Sequence, residues 1–285
     1  MMKRITLVLF VALLVIQTQA QNKTDVSLFM RSDSLQQAEI SAESGDLYST
    51  IGHHGPAVEN EWLALRLYFS EKAAIDVYSK AKAQLELKAK TWYPTAEEQK
   101  EGWGADYYKV GQTVGLGGVR LWDGEKVVPL NPVSNRTARV VKEVNSSYME
   151  MLSEDVPYMG RKVDILVRVT VYSGERNAKV EAFALCDEPV QFVTGVNYHE
   201  GQETYKTDGL MATWGLHPED VAAELVEIGA AIMYEPADFV QTEDDGTQFM
   251  LISKPGKQVK AWVSSACGRE AEVNTMKNFI SFLEK

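Results

Sequence analysis

Val163-Asp164-Ile165-Leu166-Val167-Arg168-Val169-Thr170-Val171-Tyr172-Ser173-Gly174-Glu175-Arg176-Asn177 is the stretch on which the fold turns. Val163, Ile165, Val167, Val169 and Val171 alternate with Asp164, Arg168, Thr170 and Tyr172, the period of two that puts one face of a strand in a core. Ser173 to Asn177 supplies turn chemistry, and a second run, Lys179 to Leu185, follows, so the pair reads as a hairpin. Val190 to His199 is a third strand. Further candidates are Ile75 to Tyr78, Gly118 to Trp122, Ser147 to Leu152, Gly229 to Tyr234, Gln248 to Ser253 and Val259 to Ser264. About ten strands without amphipathic helices between them predict an all-β protein, a large antiparallel β-sandwich. One helix is expected, at the C-terminus, from the spacing of Val273, Met276, Phe279, Ile280 and Leu283.

Upstream, Leu63, Leu65, Leu67 and Phe69 fall on one face of a strand and Asn60, Trp62, Arg66 and Tyr68 on the other. The second face mixes aromatics with an arginine and an amide, as a ligand-receiving surface does. Residues 21–48 read as a polar lead-in, with weak helical character over Asp33 to Ser44, and 49–285 as a single β domain.

The first twenty residues, with Lys3-Arg4, the apolar run Ile5 to Ile16 and Thr18-Gln19-Ala20, match an export signal. A periplasmic or secreted location follows, and no segment approaches the length of a membrane-spanning helix. Loss of Lys3 and Arg4 would take the 29 basic residues to 27 against 40 acidic ones, and the net charge from −11 to −13. That balance argues against a nucleic-acid partner. Two cysteines, Cys186 and Cys267, lie far apart, which excludes zinc-finger and thioredoxin motifs and leaves disulfide and free thiols open.

Candidate chemistry gathers in a few places. Gly52-His53-His54-Gly55-Pro56 sets two histidines in a glycine-flanked loop where both could reach one site. Asn197 and His199 share a face at a strand end, followed by Glu200, whereas His217, between Gly215 and Pro218, reads as a surface turn. The segment 101–111 holds Trp103, Asp106, Tyr107, Tyr108 and Lys109 between glycines; aromatic faces with convergent polar groups suit a sugar ring. Gly115-Leu116-Gly117-Gly118 lacks the Lys-Ser/Thr of a phosphate loop and reads as a turn before Arg120 and Trp122. No cofactor is expected, although His53, His54 and His199 could together hold a divalent metal.

At 52–62 (Gly-His-His-Gly-Pro-Ala-Val-Glu-Asn-Glu-Trp), 74–78 (Ala-Ile-Asp-Val-Tyr), 102–111 and 197–201 (Asn-Tyr-His-Glu-Gly) the chain resembles the domain-of-unknown-function 4861 family, over roughly residues 50 to 285. The resemblance implies a galactose-mutarotase-like supersandwich and an exported protein of polysaccharide-degrading bacteria, accompanied by enzymes for uronate-containing glycans. It carries no residue roles. From the residues themselves, the expected ligand is an oligosaccharide or polysaccharide and the expected chemistry is elimination, by a lyase or a dehydratase. Such a reaction needs a cation for the carboxylate (Arg66, Arg120 or Lys109), a base (His199 or His54) and an acid (His53 or Tyr107). Trp62, Tyr68, Trp103, Asp106, Asn197 and Glu200 complete the expected binding set. Hydrolysis by Asp106 and Glu200 is the first alternative, glycan binding without chemistry the second, and epimerase or mutarotase activity, by fold analogy alone, the third.

Overall fold

A computed structural model describes residues 22–91, 93–219 and 222–285. The expected export signal, 1–20, lies outside them. Among the described residues the strands are, in chain order, β1 Thr24–Ser27, β2 Glu39–Ala42, β3 Ala57–Asn60, β4 Ala64–Leu67, β5 Ile75–Tyr78, β6 Arg120–Trp122, β7 Val127–Val128, β8 Asn135–Lys142 and β9 Ser146–Tyr158. There follow β10 Arg161–Tyr172, β11 Asn177–Ala184, β12 Phe192–Asn197, β13 Glu203–Thr207, β14 Leu210–Gly215, β15 Ile228–Met233, β16 Phe239–Asp244, β17 Gln248–Ser253 and β18 Gln258–Cys267. Two α-helices accompany them, α1 Ala96–Lys100 and α2 Met276–Leu283.

One layer is a nine-stranded antiparallel sheet, β13-β14-β15-β18-β11-β10-β9-β8-β2. The 163–177 hairpin sits at its middle, with Val167 opposite Ala182 and Val171 opposite Ala178. The second layer holds two sheets, β1-β3-β4-β5 and β16-β17-β12-β6-β7. The segment read as a glycine turn joins them: Gly115 bridges Ile75 of β5 and Leu116 bridges Val196 of β12. A side chain at Gly115 would put its Cβ 2.0 Å from the Ile75 carbonyl oxygen, and φ there is +70°, so glycine is what lets the two sheets meet. β3 packs over β9 and β10, and β12 over β14 and β15. Between the layers Leu65, Leu67, Val167, Val169, Val180, Val196 and Val263 form one buried core. The molecule is therefore an all-β antiparallel sandwich with a C-terminal helix. α2 packs on the solvent side of the large sheet, where Phe279 and Ile280 meet Leu210, Ala212, Trp214 and Ala231.

Three expectations need correction. The polar stretch 21–48 is not helical and does not stand outside the sheets: Thr24–Ser27 pairs with β3 and Glu39–Ala42 edges the large sheet against β8. Edge strands this short bury too few side chains to leave a periodic signal. Next, the Arg66 and Tyr68 face of β4 is not open. The segment 79–114 folds over it, held by Lys80 on Glu59 Oε2 (2.5 Å) and by Glu86, whose carboxylate accepts from Tyr78 Oη and the Gly104 amide. Finally, α1 lies within that cover. Its capping box, Thr95 with Glu98, was readable in Thr95-Ala96-Glu97-Glu98. The cysteines are free thiols, Cys267 buried and Cys186 half-exposed.

Candidate functional site

A lone charge stands in each of two neighbouring apolar strands: Arg66 in β4 faces Asp76 in β5. Arg66 is 1 % exposed, and a bare guanidinium there would be costly to bury. The structure satisfies it with two carboxylates. Its Nη2 donates to Asp76 Oδ2 and lies 2.6 Å from Asp106 Oδ2, delivered by the covering segment. Tyr68 Oη donates to Asp76 at 2.7 Å, and the Val77 amide donates to the other oxygen of the same carboxylate. Burial raises the Asp76 carboxyl to about 7; Arg66 pulls against the rise and Asp106 adds to it. Burial works against the Arg66 charge as well, but Asp106 and Asp76 more than compensate and keep it firmly protonated.

Above this buried layer sits a half-exposed one. Arg66 Nη1 points at Tyr93 Oη, 3.5 Å away, and Tyr93 Oη lies 3.4 Å from His54 Nε2. The His54 ring stacks on Tyr48, 4.1 Å between centroids. Its Nδ1 is 3.0 Å from the Tyr48 carbonyl oxygen and 3.2 Å from Arg31 Nη2. A carbonyl can only accept and a guanidinium can only donate, so Nδ1 cannot serve both. The shorter contact assigns the proton to Nδ1, which leaves the Nε2 lone pair facing the Tyr93 hydroxyl. Burial lowers the His54 pKa and Arg66 lowers it further, so the ring is neutral at pH 7. Burial lifts the Tyr93 hydroxyl to about 12, which keeps it protonated.

The expected site residues separate. His53 and His54 both have left-handed backbone, φ +54° and +60°, and instead of converging they diverge. His53 turns inward to Ser27 Oγ (3.1 Å) and the edge of Phe29. Asn197 and His199 do share a target, the Lys109 carbonyl oxygen, at 2.8 and 2.9 Å. His217 is no surface turn: it is 2 % exposed, packs 4.7 Å from His199, and its Nδ1 accepts from the Lys109 amide. The Lys109 amine reaches the Glu219 carbonyl, and Arg120 the carbonyls of Gln112 and Thr113. Tyr107 is buried beneath Arg269. Arg176 covers Trp62 at 4.6 Å and Lys90 covers Trp103 at 4.5 Å. Glu200 is in an exposed turn, and the carboxylate beside Asp106 is Asp76. His53, His54 and His199 thus do not form one ligand set, and among the described residues no group of three acidic, histidine or cysteine side chains could hold a metal.

Sequence reasoning passed over Asp76, Tyr93, Tyr48 and Arg31. Asp76 had a signal, a carboxylate inside the apolar run Ala73 to Tyr78 one hairpin away from Arg66. For Tyr93, Tyr48 and Arg31 no local pattern exists, because each comes from a connection whose path depends on the packed sheets.

The family model for a domain of unknown function, DUF4861, matches residues 12–285. The chain belongs to the DUF4861 family. No curated protein matches it. Among solved structures the DUF4861 chain is similar to a Klebsiella pneumoniae protein with a provisional aldose 1-epimerase assignment: 8 % identity, TM-score 0.43, covering 92 % of this chain and 95 % of that one. It is also similar to heparan sulfate lyase HepC from Pedobacter heparinus, at 11 % identity, TM-score 0.38, 76 % of this chain and 34 % of that one. A third is 4-alpha-glucanotransferase from Thermococcus litoralis, at 12 %, 0.36, 74 % and 37 %. No residue role passes from these to the DUF4861 chain.

The buried imidazoles give a pH prediction. Burial lowers His53 and His217 each to about 3, below the usual 6.5 of an unfolded chain. The folded state therefore holds both neutral, and stability that is full above pH 6.5 is lost as pH falls toward 3. Asp76 runs the other way, its contribution fading as pH rises through about 7. Two imidazoles outweigh one carboxyl, so the Tm should drop between pH 6.5 and 4. Replacing His53 by glutamine, which keeps a partner for Ser27, should flatten that drop. Thermal melts of both proteins across this range check it; equal pH dependence would remove His53 from the account.

Proposed function

We propose that this protein is an exported acid–base enzyme acting on uronate-containing oligosaccharides by elimination. The observation that carries the reading is the placing of His54 Nε2 3.4 Å from the Tyr93 hydroxyl, itself 3.5 Å from Arg66 Nη1. His54 Nε2 takes the proton from the carbon alpha to the uronate carboxylate. Tyr93 gives its proton to the oxygen leaving the neighbouring carbon, so a carbon–carbon double bond forms as the carbon–oxygen bond breaks. His54, now protonated, returns a proton to the Tyr93 phenolate across their contact, and the site is restored. Arg66 and Arg31 set positive charge beside the carboxylate and the charge that develops on it. Asp76 and Asp106 hold Arg66 in place.

Of the two bases expected from the sequence, His199 and His54, this reading keeps His54, while the acid moves from His53 or Tyr107 to Tyr93. Lys109, Arg120 and His199 leave the reacting centre, since their polar ends face backbone carbonyls. The test is incubation of the mature chain with a panel of uronate-containing oligosaccharides, followed by ultraviolet absorbance and product mass. A new double bond with cleavage, or with loss of water, supports elimination. Saturated products with a new reducing end would transfer the reading to hydrolysis. Substrate that binds and stays intact would make this a recognition protein.

A further inference from the structure

The solvent side of the large sheet is only partly covered by α2. Beyond the helix, at the end where β10 turns into β11, the sheet leaves a depression of about 620 Å³. Its floor is aromatic. Trp262 of β18, 37 % exposed, lies 6.0 Å from Tyr172 of β10 with the ring planes 38° apart, and Met233 of β15 is the cross-strand neighbour of Trp262. The rim is polar: Asn145, Ser173, Glu175 and Asn177. Lys179, opposite Trp262 on this face, is taken by Glu181 at 3.1 Å.

We infer that this depression is a second carbohydrate-binding site, for a neutral glycan chain, separate from the His54 centre. Two aromatic faces tilted toward each other match successive apolar ring faces of a bent sugar chain. Glu175 and Asn145 on the rim offer acceptors to its hydroxyl donors. Glu175 is the one charged residue among those lining the depression, so charge there favours a neutral chain over an anionic polymer. The His54 centre belongs to the other layer, with His54 in the turn that precedes β3 and Tyr93 on the segment that covers β4. The inference does not depend on the elimination chemistry.

The test is binding of the mature chain to cellohexaose, xylohexaose, mannohexaose and an oligogalacturonate of similar length, by calorimetry, for the unaltered protein, Trp262→Ala and His54→Asn. Trp262 is exposed enough that its truncation should leave the Tm within a few degrees. Saturable binding of a neutral hexasaccharide, weakened at least tenfold by Trp262→Ala and unaffected by His54→Asn, is the expected result. Failure to bind any neutral hexasaccharide, or equal binding by Trp262→Ala, overturns it. So does a concentration-dependent dimer, seen by sedimentation, that Trp262→Ala dissolves, since a second copy would then be the occupant.

Discussion

Arg66→Met is expected to cost about 3–5 kcal/mol of folding stability, the usual penalty for breaking a buried ion pair by removing one partner. The cause is what remains behind. Asp76 is fully buried and Asp106 is 8 % exposed, and the two carboxyl groups would be left in a low-dielectric pocket with no cation. Part of that loss is avoided if Asp76 takes up a proton, so the penalty should shrink as pH is lowered toward 5, against the trend set by His53. Arg66→Met/Asp76→Leu removes two buried charges together and should recover a large part of the loss. Denaturant titrations at pH 7.5 and pH 5.5 check both statements. An Arg66→Met protein as stable as the parent would mean that the covering segment 79–114 does not need the ion cluster to close.

His54→Asn should lower turnover by about a hundredfold to ten-thousandfold, the range a positioned acid–base group contributes. Asparagine can still offer an N–H to the Tyr48 carbonyl, so the loop keeps its anchor while the basic nitrogen is gone. Tyr93→Phe should lower kcat by a comparable factor with little change in KM, because the hydroxyl is asked to act only as the bond breaks. Non-additivity separates a working pair from two unrelated residues: the double variant should be little worse than either single one. The measurement is initial rate by ultraviolet absorbance on whichever oligosaccharide the panel identifies, with Tm recorded alongside. Full activity in His54→Asn would move the base elsewhere, and the His199 and His217 pair would be the next place to look.

Much of the architecture was legible because β-sandwich strands declare themselves by period two. The runs 163–172, 179–185 and 248–253 alternate or stay apolar because each strand has one or both faces against the core, and they appear as β10, β11 and β17. β1, β2 and β13 were not legible, since short or exposed edge strands bury little, as the exposed pattern of β13 shows. Within the site, Arg66, Tyr68, Asp106 and His54 were picked out as residue types in unusual settings, and the structure gathers these four.

The sequence by itself determined the fold class, the central hairpin, the C-terminal helix and which segments carry polar chemistry, because those follow from spacing along a few neighbouring residues. Tertiary structure alone decided the grouping. It set His53 apart from His54 through two successive left-handed residues, brought Tyr93 and Asp106 in on a long cover over β4, and turned Lys109 and His199 away to a second cluster. A carboxylate 40 residues from an arginine in sequence becomes its partner only when the connection between them is pinned down, and the pins are Lys80, Glu59 and Glu86, buried groups whose pairing appears only once the sheets have packed.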